Sequence, residues 1–363
     1  MARFPHVGLY ERIAELPIEI DSYSLTDLDR TFDSGFTRPS TLITLEGGGE
    51  QGRGEDVVYD DLDHIAHRDT GPVHDLTGPS TVGELCELCG SLDLFGGAPP
   101  VRDFSRLYRR WAYESAALDL ALRQGGKRLT DVVGRELEPL NFVCSVRAEP
   151  VEETGPDRAL DPIKTRLEKY PGLRFKLDPQ PDWTDEMIEW LVGSGAVDSL
   201  DLKGCYKDTP VDVESGPEFY ERFAEAFPDA WLEDPELNEE TRPVLEPHAE
   251  RITWDAPIHS IADIEALTWK PRIVNVKPSR IGGLEELFGA YEYCEREGIG
   301  AYGGGQTELS VGRDHIQYLA ALMHPGTPND VAPRGYNETE VPDGLPPSPL
   351  ALRPTASGFG LEG

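Results

Sequence analysis

The sequence lacks the apolar segments that membranes and secretion require. No apolar run approaches the ~20 residues of a transmembrane helix. The first residues, MARFPHVGLYERIAELPIEI, contain no apolar core of the kind found in secretory signals. Hydrophobic residues make up 38% of the 363 residues, which is enough for the core of a large protein. We therefore expect a cytoplasmic protein without a membrane partner.

Basic residues are also scarce. The chain has 34 Lys and Arg residues against 67 Asp and Glu residues, which gives a formal net charge of −33. Such a charge repels nucleic acid and anionic lipid, so we exclude both as partners. The acidic residues are spread along the whole chain, which favours a salt-tolerant, halophilic-type surface over a localised anionic docking surface. Only eight lysines occur, and a lysine retained inside an apolar strand is therefore a candidate functional residue.

Cysteine is rare and odd in number. The five cysteines are Cys86, Cys89, Cys144, Cys205 and Cys294, and this scatter indicates reduced thiols rather than a disulfide framework. Cys86 and Cys89 form a lone C-x-x-C without the second pair of a zinc site. Because TVGELCELCGSL has the pattern of an amphipathic helix, we predict that both are core residues.

Histidines cluster once, among acidic residues. The segment DHIAHRDTGPVHD contains His64, His67 and His74. A metal site is one interpretation, because His64 and His67 would share a helical face. The density of charge favours a solvated acidic loop, and that is the prediction we adopt.

Two patterns divide the chain. Residues 1–135 mix strand-like segments with helices and predict an α+β domain. Residues 136–335 alternate strand and helix candidates seven or eight times, with a weak eighth strand near DVAP. This rhythm predicts an α/β fold built as a (β/α) barrel, a modified TIM barrel. Residues 336–363 are rich in Pro and Gly, a composition that fits either a disordered end or an arm packed on the first domain.

Three acidic residues and one lysine stand at the ends of successive strand candidates. Asp201 follows VDSL, Glu233 follows AWL, Asp255 follows RITW and Lys277 follows RIVNV. Each interval leaves room for one helix and its loops, and the C-terminal ends of barrel strands carry the chemistry of this fold. Three carboxylates on one rim repel each other unless a divalent cation lies between them. A lysine beside that cation is a candidate base, so the order indicates metal-assisted proton abstraction.

The motifs resemble, in their order and spacing, those of the enolase superfamily. The nearest pattern is the muconate-lactonizing enzyme and o-succinylbenzoate synthase branch of the mandelate racemase/muconate-lactonizing enzyme family. The segments that carry the resemblance are RFKLDP, LDLKG, WLEDPE, TWDAP, VNVKPSRIGG and GGGQTELSVGR. The resemblance implies an N-terminal capping domain over the barrel mouth, with specificity loops that we place within Asp21–Asp33 and Gly47–Arg53. It also implies that the C-terminal tail, residues 336–363, packs on the capping domain, and that the protein is a homo-oligomer.

The resemblance further implies a reaction and its site. The reaction is removal of the proton next to the carboxylate of a small carboxylic acid, through an enediolate that Mg²⁺ stabilises, with Mn²⁺ as an alternative. The metal ligands would be Asp201, Glu233 and Asp255, and the base would be Lys277. The family positions near the substrate are taken here by Ser279, Gly305 and Glu308. Glu308 also fits the acid that often begins a helix.

The second barrel strand departs from the family pattern. Where the family carries Lys-x-Lys, this chain has Lys176, Leu177 and Asp178. Lys203 faces the same way as Asp201, two residues before it, because side chains alternate along a strand. Either Lys203 or Asp178 is therefore a candidate replacement for the missing lysine, with Lys176 retained. A salt bridge between Lys203 and Asp178 is the structural alternative.

Three functions follow from these features. The favoured one is a lyase, specifically a dehydratase of a small carboxylic acid, because one base and one acid suffice for loss of water. The second is a cycloisomerase, epimerase or racemase of the same superfamily with a rearranged pair of bases. The third is a ligand-binding or scaffold homologue that kept the fold and lost catalysis.

Overall fold

The computed structural model describes residues 8–32, 35, 37–207, 213 and 215–362, and the structural statements below refer to this part of the chain. Its strands are β1 Pro17–Ile20, β2 Ser22–Asp27, β3 Arg30–Thr31, β4 Thr37–Arg38, β5 Thr41–Gly47, β6 Glu50–Asp56, β7 Gly78–Thr81, β8 Cys144–Val146, β9 Phe175–Leu177, β10 Val197–Asp201, β11 Trp231–Glu233, β12 Ile252–Thr253, β13 Ile273–Asn275 and β14 Gly300–Tyr302. Its α-helices are α1 Leu9–Ala14, α2 Asp61–Thr70, α3 Val82–Ser91, α4 Ser105–Gln124, α5 Leu129–Val133, α6 Val151–Thr154, α7 Pro156–Ala159, α8 Asp161–Lys169, α9 Asp185–Ser194, α10 Pro217–Ala226, α11 Arg242–Leu245, α12 Ile261–Glu265, α13 Pro278–Ile281, α14 Leu284–Glu297 and α15 Val311–Met323. Short 3-10 helices cover Glu246–Arg251 and Arg334–Asn337.

The first domain is built on an antiparallel sheet in the order β2-β5-β6. Helix α4 packs across β6, and its residues are buried without interruption from Trp111 to Leu122. The close approach depends on glycine, because a Cβ at Gly54 would overlap the carbonyl oxygen of Ala112. On its other side α4 packs against α13, which follows the sixth barrel strand. Helix α4 therefore connects the first domain to the barrel.

The parallel strands form the barrel. Strands β8 to β12 make a sheet in the order β12-β11-β10-β9-β8, and β13 pairs with β14. The backbone N–H of Asn275 donates to Trp254 over 3.0 Å and joins the two sheets. Isolated bridges from Asn329 to Phe142 and from Asp330 to Gly304 close the circle. The weak strand near DVAP is thus a bridging segment, and the predicted α/β barrel with an N-terminal α+β domain is confirmed.

The C-terminal tail contacts both the first domain and the barrel. Phe359 is fully buried and stacks on His315 of α15, with ring centroids 4.2 Å apart. Its backbone N–H donates to Asp119 of α4 over 2.9 Å. Leu350 forms a bridge with Leu140 before the first barrel strand. The tail therefore links α4 to α15.

The prediction of a solvated acidic loop around His64 and His67 is wrong. Both lie in helix α2 and are buried. The two ring nitrogens of His64 lie 2.8 Å from Thr41 Oγ1 and 2.9 Å from the carbonyl oxygen of Val58. The ring of His67 lies 2.9 Å from the hydroxyl of Tyr113. A spacing of three residues places both histidines on the inner face of the helix. The charged residues on its outer face made the segment resemble a solvated loop.

The cysteines behave as predicted. Cys86 and Cys89 are buried in α3, and the five cysteines are free thiols. Burial raises the pKa of Cys144 to about 12, so its thiol stays protonated and inert. In the part of the chain described, no helix combines the length and apolarity needed to cross a membrane.

Candidate active site

The predicted acids lie at or just beyond the C-terminal ends of three neighbouring barrel strands. The register places Asp201, the last residue of β10, beside Glu233, the last residue of β11. Glu233 in turn pairs with Thr253, the last residue of β12, so Asp255 follows two residues after the end of that strand. All three acidic residues are at most 2% exposed. Like charges removed from water at this density require positive partners.

Asp234 adds a fourth carboxylate. Carboxylate oxygens of Asp201, Glu233 and Asp234 lie within 4.8 Å of one another. Asp234, however, already accepts hydrogen bonds of 2.8 Å from the backbone N–H groups of Asp255 and Ala256. Burial beside the other acids raises the pKa of Asp234 to about 7. Asp234, after β11, therefore holds the backbone of Asp255 and Ala256, after β12, in position.

The donor set fits a hard divalent cation. Burial raises the pKa of Glu233 well above its ordinary value, and the charges of Asp201 and Asp255 raise it further against the opposing Lys176. Carboxylate oxygens are the ligands that Mg²⁺ prefers, and three monodentate carboxylates leave about three of its six octahedral positions for substrate oxygens and water. A cation at this position would relieve the repulsion that raises the pKa of Glu233.

Two lysines contact the acids from neighbouring strands. Lys176 on β9 forms ion pairs with Glu233 and, over 3.1 Å, with Asp201. Lys203 Nζ lies 2.5 Å from Asp201 and 3.7 Å from Asp178. Burial alone would lower the pKa of Lys203, but the charges of Asp201 and Asp178 raise it. Lys203 thus points into the site and also forms the salt bridge weighed as its alternative.

Asp178 is held from the other side by Arg147. Their ion pair measures 2.9 Å and joins the first barrel strand to the second. Arg147, Asp178, Lys203 and Asp201 therefore form a chain of alternating charge along the rim. This chain replaces the second lysine of the family pattern with an acid and places a lysine on the next strand.

Lys277 faces the cluster from the opposite strand. It is 7% exposed, and its Nζ lies 3.1 Å from Asp255 Oδ2. Arg280 binds the other oxygen of the same carboxylate over 2.6 Å. Burial lowers the pKa of Lys277, and the charge of Arg280 lowers it further. Ser279, which lies between these two residues in the sequence, is buried in α13.

Glu308 lies in the loop after the seventh strand. It accepts a hydrogen bond of 2.6 Å from the backbone N–H of Gln306 and pairs with Arg313 over 3.2 Å. A Cβ at Gly305 would lie 2.6 Å from Glu308 Oε2, so glycine is required for this approach. The acid at the start of α15 is instead Glu55 of the first domain, which accepts from the N–H groups of Leu309, Ser310 and Gly312 at 2.6, 2.8 and 3.0 Å.

Several polar residues of the site have no counterpart in the sequence predictions. Tyr302 donates to Glu233 over 2.5 Å, and Tyr206 donates to Asp255 over 3.1 Å. Asp330 lies 3.8 Å from Lys176. A tyrosine at the end of an apolar strand, as in GAY, was the signal that could have identified Tyr302.

The first domain supplies aromatic and basic groups to the mouth. Tyr108 of α4 accepts a hydrogen bond of 3.1 Å from Gln306. Arg38 is fully buried, and its guanidinium lies 4.4 Å from the ring centroid of Tyr59. Tyr59 as a whole is 37% exposed. Burial of its hydroxyl raises the pKa of Tyr59, and nearby Tyr108 and Glu308 raise it further against Arg38, so this residue lies near the cleft between the two domains.

The prediction of a specificity loop at Gly47–Arg53 is wrong. Gly48 packs against Gln124 at the C-terminal end of α4, and Arg53 donates to Asp119. Tyr108, which reaches the site, stands sixteen residues earlier, roughly 24 Å along the helix. Strand β6 packs closely on α4 through its glycines, and this packing directs the β5–β6 hairpin away from the mouth. The segment after Asp56, which contains Tyr59, lies at the mouth where the Gly47–Arg53 loop was predicted.

The other predicted loop is divided between the two ends of the domain. Asp21 accepts from the backbone of Gly48 at the far end. Leu28 donates to Ser40 over 3.1 Å, and the hydroxyl of Ser40 donates to Glu55 over 2.8 Å, so this end lies near the barrel. Asp33, the last residue of the predicted loop, lies outside the described residues.

Comparison with family models and curated proteins gives two results. A model described as "Domain of unknown function (DUF8230) N-terminal domain" matches residues 11–132, and the corresponding "C-terminal domain" model matches residues 136–338. An o-succinylbenzoate synthase from Geobacillus kaustophilus is 25% identical over 276 residues, which is 69% of this chain and 66% of that protein. An N-succinylamino acid racemase from Thermus thermophilus is 40% identical over 92 residues, 25% of each chain. The aligned parts therefore span less than two thirds of both relatives.

Solved structures of enolase-superfamily members share the fold. An enolase from Pseudomonas fluorescens with bound magnesium, potassium and tartrate has a TM-score of 0.71 at 17% identity, over 95% of this chain and 90% of that one. A dipeptide epimerase from Methylococcus capsulatus in complex with Mg has a TM-score of 0.66 at 18% identity, over 95% and 99% of the chains. The similarity extends over both domains of the present structure.

Proposed function

The chain belongs to the family described as a domain of unknown function (DUF8230) and has the fold of the enolase superfamily, and we propose that it is an enzyme that removes the proton next to a carboxylate with the help of Mg²⁺. The favoured reaction is loss of water from a small carboxylic acid. The observation that carries the proposal is a buried lysine, Lys277, whose ammonium group lies 3.1 Å from Asp255 at a rim that also buries Asp201 and Glu233. Related proteins with synthase, racemase and epimerase activities support it.

In this proposal the metal ligands are Asp201, Glu233 and Asp255. Mg²⁺, or Mn²⁺ in its place, supplies positive charge to the substrate carboxylate as the enediolate forms. Asp234 keeps Asp255 in position through the two backbone hydrogen bonds described above. Lys176, on strand β9, balances the negative charge of Asp201 and Glu233 through its two ion pairs.

The proton transfers are assigned to two lysines on opposite strands. Lys277 takes the proton from the α-carbon, because burial beside Arg280 favours its neutral form. Lys203, held between Asp201 and Asp178, stays protonated and suits the donor that the leaving hydroxyl requires. Asp178 serves to position Lys203.

The substrate is held between the barrel rim and the first domain. We assign Ser279, Gly305 and Glu308 to the substrate side of the site, with Tyr59 and Tyr108 at the mouth. The domain division at residues 1–135, 136–335 and 336–363 is part of the proposal, with the tail on the capping domain. It also includes a cytoplasmic homo-oligomer that binds neither nucleic acid nor membranes, in line with the net charge of −33.

A racemase or epimerase is the second candidate. The observation in its favour is that Lys203 and Lys277 approach the carboxylates from opposite sides of the barrel, as a two-base exchange of configuration requires. A cycloisomerase would use the same pair. The two candidates differ in whether the α-proton is replaced or water departs.

The test is proton exchange in D₂O. The protein is incubated with Mg²⁺ and a panel of small carboxylic acids, and NMR follows loss of the α-proton signal and formation of alkene or of the mirror-image product. We expect exchange with at least one acid, abolished in Lys277→Ala and unchanged in Lys270→Ala, a control at an exposed lysine nearby. No exchange with any acid would favour a binding or scaffold protein instead.

A further inference from the structure

Asn275 is a buried side chain without a partner in the described structure. It ends strand β13 and is 1% exposed. Among the described residues, neither Oδ1 nor Nδ2 of its amide finds a hydrogen-bond partner. Buried polar groups in folded proteins are almost always paired, because an unpaired one loses its bonds to water without replacement. An amide with both atoms unpaired therefore indicates a place where another molecule is held.

The position of Asn275 relates it to the proposed base. Asn275 and Lys277 are two residues apart, so their side chains lie on the same side of the chain, towards the barrel interior. Gly304 faces both from the next strand. A Cβ at Gly304 would lie 2.9 Å from Asn275 Nδ2, 3.5 Å from Asn275 Oδ1 and 3.0 Å from Lys277 Cε. The bare α-carbon of Gly304 thus leaves space shared by the amide and the end of the lysine.

The chemistry of the amide selects its ligand. A carboxamide offers one acceptor oxygen and two donor hydrogens. A carboxylate oxygen would satisfy Nδ2 and leave Oδ1 unpaired, whereas a group that both donates and accepts satisfies both atoms. Such groups are a hydroxyl or a secondary amide. If the substrate α-carbon lies at Lys277, Asn275 would contact a substituent on that carbon or on the next carbon.

We propose that Asn275 is a specificity-determining residue that binds a hydroxyl or secondary amide on the substrate, next to the carbon from which Lys277 removes a proton. The assignment rests on the proposed function for the placement of that carbon. It narrows the substrate class from small carboxylic acids to hydroxy acids or N-acylamino acids. An acid without this substituent would leave the buried Asn275 amide unpaired, and the site would therefore bind that acid less tightly.

Calorimetric binding in the presence of Mg²⁺ tests the assignment. The probes are 3-phenyllactate, N-acetylphenylalanine and 3-phenylpropanoate, which carry a hydroxyl, a secondary amide and neither group. We expect the wild-type protein to bind one of the first two about 10-fold more tightly than 3-phenylpropanoate, as one hydrogen-bonded group predicts. The probe that binds more tightly than 3-phenylpropanoate shows whether the group that Asn275 binds is a hydroxyl or a secondary amide. In Asn275→Leu the ratio should fall to about 1, with 3-phenylpropanoate binding within twofold of wild type.

A second variant and a control complete the test. Gly304→Ala puts a methyl group into the shared space and should remove the same preference even if Asn275→Leu folds poorly. Asn141→Leu, at a half-buried amide before the first strand that donates to Gly326, should keep it. No preference in the wild type, or one that persists in both site variants, overturns the assignment and leaves the amide with an internal water only. The proposed function fails separately, by absence of α-proton exchange whatever the binding ratio.

Discussion

Burial sets the protonation of His315. The residue is 1% exposed and stacks on Phe359, and its Nδ1 has no hydrogen-bond partner among the described residues. Burial lowers the pKa of His315 to about 4, from the value near 6.5 of an exposed imidazole. The unfolded chain therefore binds a proton at His315 in the range where the folded chain does not.

This residue predicts a pH dependence of stability. A group with a lowered pKa in the folded state contributes its full stability above its unfolded pKa and loses it as the pH falls. The free energy of unfolding should therefore drop between pH 6.5 and pH 4, by roughly 3 kcal/mol at most from this group. Urea unfolding at several pH values measures the slope, which should be shallower in His315→Phe. His74→Phe, at a half-buried histidine, is the control, and equal slopes in wild type and His315→Phe would contradict the account.

Residues at the site differ in how far the sequence revealed them. Asp201, Glu233 and Lys277 were recognisable because each follows an apolar strand at the spacing of a barrel. Asp234 was not, because its role is to accept backbone hydrogen bonds across two strand ends, and only the fold creates those donors. Asn275 was likewise hidden, since an unpaired amide is a property of its surroundings and not of its sequence position.

At the scale of elements, one buried carboxylate of the first domain binds the start of a barrel helix. Glu55, on β6, is fully buried and accepts three backbone hydrogen bonds at the start of α15, the helix that follows Glu308. A carboxylate at a helix N-terminus is favoured by the exposed N–H groups and the helix dipole. The loop that carries Glu308 is therefore positioned from the other domain.

Replacement of Glu55 should loosen this connection. Glu55→Gln removes the charge and turns a donor group towards N–H groups, so we expect a loss of about 2–4 kcal/mol in the free energy of unfolding. The Michaelis constant of any substrate should rise more than kcat falls, because Glu308 is displaced and Lys277 is not. Glu50→Gln, at the exposed start of the same strand, should change neither quantity. Wild-type stability in Glu55→Gln would show that the contact is dispensable.

The elements themselves illustrate what a sequence pattern can predict. The alternation of strands and helices was readable because parallel barrel strands are apolar runs of similar spacing. The hairpin Gly47–Arg53 was misplaced because the pairing of β6 with α4 depends on glycines at the contact, such as Gly54. Helix α2 was missed because its outer face is charged and its inner histidines are polar.

At the scale of the whole molecule, the excess of negative charge dominates. A net charge of −33 on 363 residues repels itself in the compact state, and arginine ion pairs such as Arg109–Asp56 offset only part of this inside the protein. Salt screens charges over a Debye length of roughly 8 Å at 0.15 M and 3 Å at 1 M. The fold should therefore depend on salt more than an ordinary protein of this size.

The expected result is a rise in the thermal unfolding midpoint with KCl. Between 0.1 M and 2 M KCl we expect an increase of several degrees or more, as screening removes the repulsion among surface carboxylates. Scanning calorimetry at fixed pH measures it, and the same osmolarity of sucrose controls for exclusion effects of the solute. A midpoint that falls with KCl would show that ion pairs contribute more than the repulsion does.

The central claim is that Asp201, Glu233 and Asp255 hold one divalent cation, although distance alone groups Asp234 with the first two. Titration calorimetry with Mg²⁺ tests it most directly in wild type and in Asp201→Asn, Asp255→Asn and Asp234→Asn. The account predicts one site per chain, weakened at least about 10-fold by Asp201→Asn and Asp255→Asn and much less by Asp234→Asn, since one lost carboxylate ligand changes affinity by more than about 1.4 kcal/mol. Full affinity in Asp255→Asn with loss in Asp234→Asn would contradict it.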